Sequence, residues 1–272
     1  MKVSDILHGL GRIAPFGLAE SWDNVGLLIG DAERETRSLL LGLDPSLALL
    51  EEAVSRGADT LITHHPCIFH PLPSVNIATP TGAFLEKALV HNINVIACHT
   101  NFDSAAEGVS DALAALLSLD ELSPLRPLNF SGNGNEGLGR IGSYSTPLSF
   151  ALFMQNVFFA LESNTVQIAG IPPRQVQRVA LCGGSGSDLA EDAFKRGADV
   201  YLSSEIKHST ARWAEEAEFC VIDGTHYATE YPAMALLGRK LASQARQAGW
   251  DVQILQSKLE QPAFTFIHKN DF

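Results

Sequence analysis

The chain has 272 residues, 46% hydrophobic and 18% charged, an ordinary balance for one large or two modest globular domains. A formal net charge of −12 sets its mean field against phosphate, and no Lys/Arg run offsets it. General nucleic-acid binding and attachment to anionic membranes are therefore not expected. Four cysteines, Cys67, Cys98, Cys182 and Cys220, have neither CxxC spacing nor a dense framework and read as reduced thiols of a cytoplasmic protein.

The opening MKVSDILHGL carries an acidic residue at position 5 and no long apolar core, so it is not read as a signal peptide. SLLLGLD (38–44) reads as a buried strand entering a turn. LLEEAVSRGAD (49–59) has helical spacing and ends in Arg-Gly, where Gly57 can take the left-handed helix-stop conformation. TLIT (60–63) is a short strand running into His64, His65 and Pro66. LVHNINVIACHTNFD (89–103) reads as a helix end, a buried strand, then His99 with Asp103 four residues on. The prolines, glycines and asparagines of SPLRPLNFSGNGNEG (123–137) are linker chemistry, which puts a domain boundary near residue 126 and divides the chain into 1–125 and 126–272. SFALFMQNVFFAL (149–161) is too short and too polar to span a bilayer and is expected to form a core helix.

The second half then repeats the first. RVALCGG (178–184) is strand-like, and LAEDAFKRGAD (189–199) aligns without a gap on 49–59, sharing Leu, Glu, Ala, Arg, Gly, Ala and Asp. VYLS (200–203) follows as TLIT did, and AEEAEFCVIDGTHYATE (214–230) gives a helix end, a strand, then His226 with Glu230 four residues on. Helix–Gly–strand units are common in α/β proteins and can arise by convergence, but the gapless match favours internal duplication. The expected fold is thus two similar α/β domains with largely parallel sheets.

Ligands of such sheets gather beyond the carboxyl ends of strands, and the His64–His65, His99 and His226 groups all fall there. Histidine offers a neutral nitrogen to a transition metal, and Asp or Glu offers oxygens that can bridge two cations. His64, His65, Asp103, His226 and Glu230 are the candidate ligands. On a helix, His226 and Glu230 would share one face. His64 and His65 would point apart on an extended strand, but at a strand end restricted by Pro66 they can reach two neighbouring metals. His99 would be an extra ligand, a supporting group or a proton carrier. Each residue has a plainer alternative: Asp103 can cap a helix, and Glu230 can sit near a helix N-terminus for dipole reasons. His8, His91 and His268 have no partner at useful spacing. His208 can line the cleft, Cys67 beside His70 reads as a small apolar residue, and the glycines of CGGSGSD (182–188) only weakly suggest a phosphate loop.

ESWDNVGLLIG (20–30), ITHHPCIF (62–69), VIACHTNFD (95–103), GLGRIG (137–142), GADVYLSSEIKH (197–208) and VIDGTHYATE (221–230) together resemble the Nif-three-like family, whose bacterial members carry the label GTP cyclohydrolase I type 2 homologue. The resemblance implies two α/β domains with a dinuclear metal centre in the cleft between them, and a toroidal homohexamer. The family's ligand positions fall on His64, His65, Asp103, His226 and Glu230. Cys67, Ser204 and the GTH before the last ligand pair depart from the usual pattern without removing a ligand. The expected activity is metal-dependent hydrolysis through an activated water, with two divalent ions per subunit (zinc, iron or manganese), His99 as proton carrier and a small-molecule substrate. The competing expectation is a non-catalytic metal-handling or scaffold protein.

Overall fold

The computed structural model describes residues 1–128, 134–267 and 269; His268 and the middle of the expected linker, 129–133, lie outside the described residues. In chain order the elements are α1 (Val3–Ile13), β1 (Gly26–Ile29), β2 (Ser38–Gly42), α2 (Leu47–Ser55), β3 (Thr60–Thr63), α3 (Pro80–Val90), β4 (Asn94–Ala97), α4 (Thr100–Ser104) and α5 (Val109–Leu116). There follow β5 (Asp120–Pro127), β6 (Gly137–Ser149), α6 (Phe150–Ala160), β7 (Gln167–Ala169), β8 (Gln175–Ser185), α7 (Ala190–Lys195), β9 (Val200–Ser204) and α8 (His208–Glu216). The chain closes with β10 (Cys220–Asp223), α9 (His226–Glu230), α10 (Pro232–Ala248) and β11 (Gln253–Gln256).

Two sheets form, in the orders β1-β4-β3-β2-β11 and β5-β6-β8-β9-β10-β7. The predicted strands 60–63, 178–184 and 200–203 lie in β3, β8 and β9, and 38–44 forms β2 as far as Gly42 before its turn. The order β–α–β–α–β–α occurs once in each sheet, as β2-α2-β3-α3-β4-α4 and as β8-α7-β9-α8-β10-α9, with the three strands of each run parallel. Gly57 and Gly197, at φ +68° and +71°, follow α2 and α7 at equivalent positions, where the left-handed backbone ends the helix.

The first sheet is largely parallel, as expected, while the second is more mixed. β1 and β7 pair antiparallel at one edge of each sheet, and β5 and β6 add antiparallel strands to the second. Part of the stretch expected as a linker is strand: Ser123–Pro127 belongs to β5, an edge strand, the place where a sheet tolerates proline. β5 therefore runs across residue 125, and β11 returns to the first sheet. The helix expected at 149–161 forms as α6. It buries Phe153, Met154 and Val157 but leaves Phe159 exposed, so it covers a sheet with one face rather than lying in a core.

The buried residues form apolar layers on both faces of each sheet. Leu39, Leu41, Ile62 and Ile96 pack with α1 and α10 residues, and Leu40, Leu61 and Val95 with α2 and α3 residues. Val179, Leu181 and Val200 pack against α5 and α6, and Ala180, Tyr201 and Val221 against α7 and α8 residues. Alternate strand residues thus face opposite layers, and the polar ends of the strands are left to form the site. Among the described residues no helix is long and apolar enough to cross a membrane, and all four cysteines are free.

Candidate metal centre

The parallel ladder of β2 and β3 continues one step past the strand end. His64 N–H donates to Gly42 O (3.2 Å) and His65 N–H to Leu43 O (3.0 Å). The two imidazoles lie side by side, centroids 5.0 Å apart, where the backbone bends at His64 and His65, just before Pro66, instead of staying extended. From β4 the chain passes through His99 into α4, which carries Asp103. From β10 it passes through Thr225, at φ +70°, into α9, which carries His226 and Glu230. The carboxyl ends of β3, β4 and β10 thereby meet.

Glu230 stands at the centre. Its Oε1 lies 3.7 Å from His64 Nε2, and its Oε2 lies 3.0 Å from His65 Nε2 and 2.9 Å from His226 Nε2. Asp103 Oδ1 is 3.6 Å from His64 Nε2. Two sets of metal-ligating atoms result, His64–Asp103–Glu230 and His65–His226–Glu230, each within 4.8 Å of one another, and His99 forms a third set with His64 and His65. All six residues named from the sequence are therefore brought together, with Glu230 common to the first two sets.

The outward nitrogen of every imidazole is committed. Nδ1 of His64 meets Cys98 O at 2.8 Å, that of His65 meets Asp44 Oδ1 at 2.7 Å, that of His99 meets Asp23 Oδ1 at 2.8 Å, and that of His226 meets Glu205 Oε1 at 2.9 Å. Carbonyls and carboxylates only accept, so each Nδ1 keeps its proton and each Nε2 is left for a second proton or a metal. Inward, only acceptors converge: His65 Nε2 and His226 Nε2 lie 3.2 Å apart. With the imidazoles neutral, His64 Nε2, Asp103 Oδ1 and Glu230 Oε2 are buried with no hydrogen-bond partner, and only a second proton on the rings would pair them with the carboxylates. Orphaned buried acceptors of this kind, nitrogen and oxygen together, are the donor set that a borderline divalent cation takes.

The electrostatics agree. Burial opposes a charged His65, but hydrogen bonds to Asp44 and Glu230 override it and push its pKa up to about 10. Burial likewise opposes charge on His64 and His226, yet Asp103 and Glu230 leave the first raised and Glu230 the second. Burial and the neighbouring His64 hold His99 down, to about 4, against the pull of Asp23. Burial lifts Asp103 to about 7. Glu230 is held well below the usual carboxylate range: burial opposes this, but His64 and the hydrogen bonds to the three imidazoles prevail.

A pH dependence follows. For the metal-free protein, the stability that His65 contributes is fully present below its unfolded value of about 6.5 and is lost as pH rises through about 10. Asp103, also raised, acts in the same direction through about 7. Metal binding needs the same groups deprotonated, so its contribution grows with pH. Thermal unfolding of chelator-treated protein is expected to fall between pH 6.5 and 10, and the gap to metal-loaded protein to widen. Parallel melting curves in the two states across that range would contradict this.

Three residues of the site were not singled out from the sequence: Asp23, Asp44 and Glu205. Asp23 also accepts from Thr100 N–H (3.0 Å) and the Thr100 hydroxyl (2.5 Å), fixing the start of α4. Its signal was the acidic residue within ESWDNVG. Glu205 had one too, since it occupies the place in the second repeat that His65 occupies in the first. His208 is exposed at the start of α8 and is not brought to the centre, and Cys67 packs against the apolar layer beside β3. The glycines of CGGSGSD admit α9: a Cβ on Gly184, at φ +67°, would lie 1.9 Å from Glu230 Oε1. Gly184→Ala is therefore expected to displace the Glu230 carboxylate and cut bound metal, measured by elemental analysis, while leaving a folded chain.

A cavity of about 2320 Å³ opens on the His65–His226 side, lined also by Asp44, Glu205, Tyr227 and Phe159. Its described lining does not include His64, Asp103 or His99. One ligand set therefore faces a space large enough for a small molecule, and the other lies behind it.

The family model described as Duf34/NIF3 (NGG1p interacting factor 3) matches residues 1–262. A Streptomyces coelicolor protein named GTP cyclohydrolase 1 type 2 homolog is 32% identical over 260 residues, covering 94% of this chain and 91% of its own. A Clostridium acetobutylicum protein of the same name is 29% identical over 258 residues, covering 95% and 96%. Among solved structures, Staphylococcus aureus protein SA1388 superposes with a TM-score of 0.91 at 28% identity, covering 98% of this chain and 99% of its own. A Bacillus cereus protein related to NIF3 reaches 0.92 at 22% identity, with the same coverage, a likeness of fold.

Proposed function

The chain belongs to the Duf34/NIF3 family, and we propose that it holds a pair of divalent metal ions and acts as a metal-dependent hydrolase. The observation that carries this reading is Glu230, whose two oxygens face two separate sets of ligand atoms. His64, Asp103 and Glu230 Oε1 would hold one ion, and His65, His226 and Glu230 Oε2 the other. Zinc, iron or manganese suits three imidazoles and two carboxylates better than magnesium alone. When bound, such a pair lowers the pKa of a water towards neutrality and so supplies a nucleophile.

The chain's own residues would then handle the proton. His99, held to low pKa, is neutral near pH 7, with Nδ1–H directed at Asp23, so its Nε2 is free to accept. Asp23 fixes the ring and stabilises the imidazolium once formed. The relatives' name brings a GTP-like substrate and ring-opening hydrolysis to this reading. Asp103→Ala in metal-replete protein should abolish turnover in a screen of nucleotides, phosphoesters and cyclic amides run alongside metal analysis; undiminished turnover would sink the hydrolase assignment.

One observation favours a second reading. His64 is 1% exposed and Glu230 4%, so the inner ligand set is held rather than presented. A non-catalytic metal-handling role predicts full metal occupancy and no turnover on any of those classes. Homohexameric assembly belongs to either reading. It is supported by exposed Val75, Ile77, Leu89 and Val90, apolar surface outside the cavity that a neighbouring subunit would cover, and is tested by light scattering.

A further inference from the structure

The segment after β11 turns back over the carboxyl end of β2 and is tied down at its root. Ser257 N–H donates to Leu41 O (2.8 Å), its hydroxyl donates to Glu52 Oε2 (2.6 Å), and Lys258 N–H donates to Glu52 Oε1 (3.1 Å). A little further on, Glu260 Oε1 accepts two backbone N–H bonds, from Leu43 at 2.7 Å and from Asp44 at 2.9 Å. Those two residues are the ones that hold His65. Leu43 O accepts its backbone N–H at 3.0 Å, and Asp44 Oδ1 accepts its Nδ1–H at 2.7 Å.

We propose that Glu260 is a positioning residue for the His65–His226 half of the centre, acting through Leu43 and Asp44. The inference rests on the dinuclear reading above. A carboxylate accepting two consecutive N–H groups makes charge-assisted bonds and fixes the orientation of both peptide planes. Here those planes set the direction of the Asp44 side chain, which is half exposed. Asp44 in turn sets the tilt of the His65 ring and which nitrogen faces inward. The inner half of the centre touches this route only through a longer backbone bond, His64 N–H to Gly42 O at 3.2 Å, while the His64 ring itself is oriented by Cys98 O, on β4's side of the sheet.

The cavity gives the arrangement a consequence. Gln261, Pro262, Phe264 and Phe266, on the segment that carries Glu260, line the same space onto which His65 and His226 open. A molecule entering that space contacts the segment whose anchor sets the substrate-facing ligand.

The test separates the two halves. Zinc affinity is measured by competition with a chromophoric chelator on two backgrounds, Asp103→Ala, which retains the His65–His226 set, and His226→Ala, which retains the His64–Asp103 set. Adding Glu260→Ala should weaken zinc about 10-fold on the first background and change it less than about twofold on the second. Glu260→Gln keeps an acceptor oxygen for the two N–H groups and should restore most of the loss. It is also nearly isosteric, which guards against an alanine variant that fails to fold. A cobalt(II) absorption spectrum altered by Glu260→Ala on the first background alone would report the same shift in ligand geometry. Equal weakening on both backgrounds, or none on either, overturns the positioning role while leaving the metal centre standing. A parent protein that takes up no metal overturns the centre and this inference together.

Discussion

Glu230→Ala is expected to empty both halves of the centre, while Asp103→Asn and His226→Ala each empty one. Glu230 is the one side chain shared by the two ligand sets, with Oε1 towards His64 and Oε2 towards His65 and His226. On the two-ion reading, removing it would take an anionic oxygen from each ion and leave two positive charges facing each other without the carboxylate that screens them. The expected loss of affinity exceeds about 100-fold for both ions, the upper end of what even an outer hydrogen-bond partner costs. Glu230→Gln is the sharper variant. It keeps the volume and one acceptor oxygen, so at most one ion should remain. Equilibrium dialysis followed by elemental analysis reads the stoichiometry directly. If Glu230→Ala retains both ions, the bridge is elsewhere and the two-set description fails.

The metal-free variant should also behave differently. His65 is raised to about 10 partly by its bond to Glu230. Without that carboxylate the imidazole loses a partner and returns towards its usual range. Proton release on zinc addition at pH 7.5, to which the charged His65 contributes in the parent, should shrink accordingly.

What the sequence disclosed and what it hid follow from distance along the chain. His64–His65, His99–Asp103 and His226–Glu230 were legible because each lies within five residues at the end of a strand, and because the second repeat presents His-x3-acid where the first does. That Glu230 rather than Asp103 is shared was not legible: both are acids four residues after a histidine, and only the approach of α9 to Gly184 decides it. Asp23, Asp44 and Glu205 were missed because each acts on a histidine 21 or more residues away. An isolated acid at a turn is equally well read as a cap. Residues 123–127, expected as part of a linker, are strand for a related reason. Prolines signal a break in any strand except one at a sheet edge, and edge position is a property of the whole sheet.

The largest stability effect is expected at Arg140, which lies in β6 and is 2% exposed. Its guanidinium meets Asp111 through two bonds, Nε to Oδ1 at 2.9 Å and Nη2 to Oδ2 at 2.7 Å. It also donates to the carbonyls of Gly137, Gly139 and Ala105, each at 2.7 Å. Asp111 in turn accepts from Gly108 N–H at 2.9 Å, capping α5. Arg140→Leu would leave the Asp111 carboxylate without its counter-ion, held only by Gly108 N–H, and would take a donor from three carbonyls, so the loss is expected at about 3–5 kcal/mol, the range for breaking a buried ion pair by removing one partner. Urea unfolding should register it as a lower midpoint with an unchanged slope. The double variant Arg140→Leu with Asp111→Leu should recover part of the loss, because it removes the unpaired charge as well. The effect should also reach the metal centre on one side only. Ala105 and Asp111 flank the turn that joins α4 to α5, and α4 carries Asp103, so loosening that turn frees the inner ligand set. Zinc affinity at the His64–Asp103 half should fall in Arg140→Leu while the His65–His226 half, anchored through Asp44 and Glu205, holds. Uniform weakening of both halves would mean that Arg140 supports the fold without orienting Asp103.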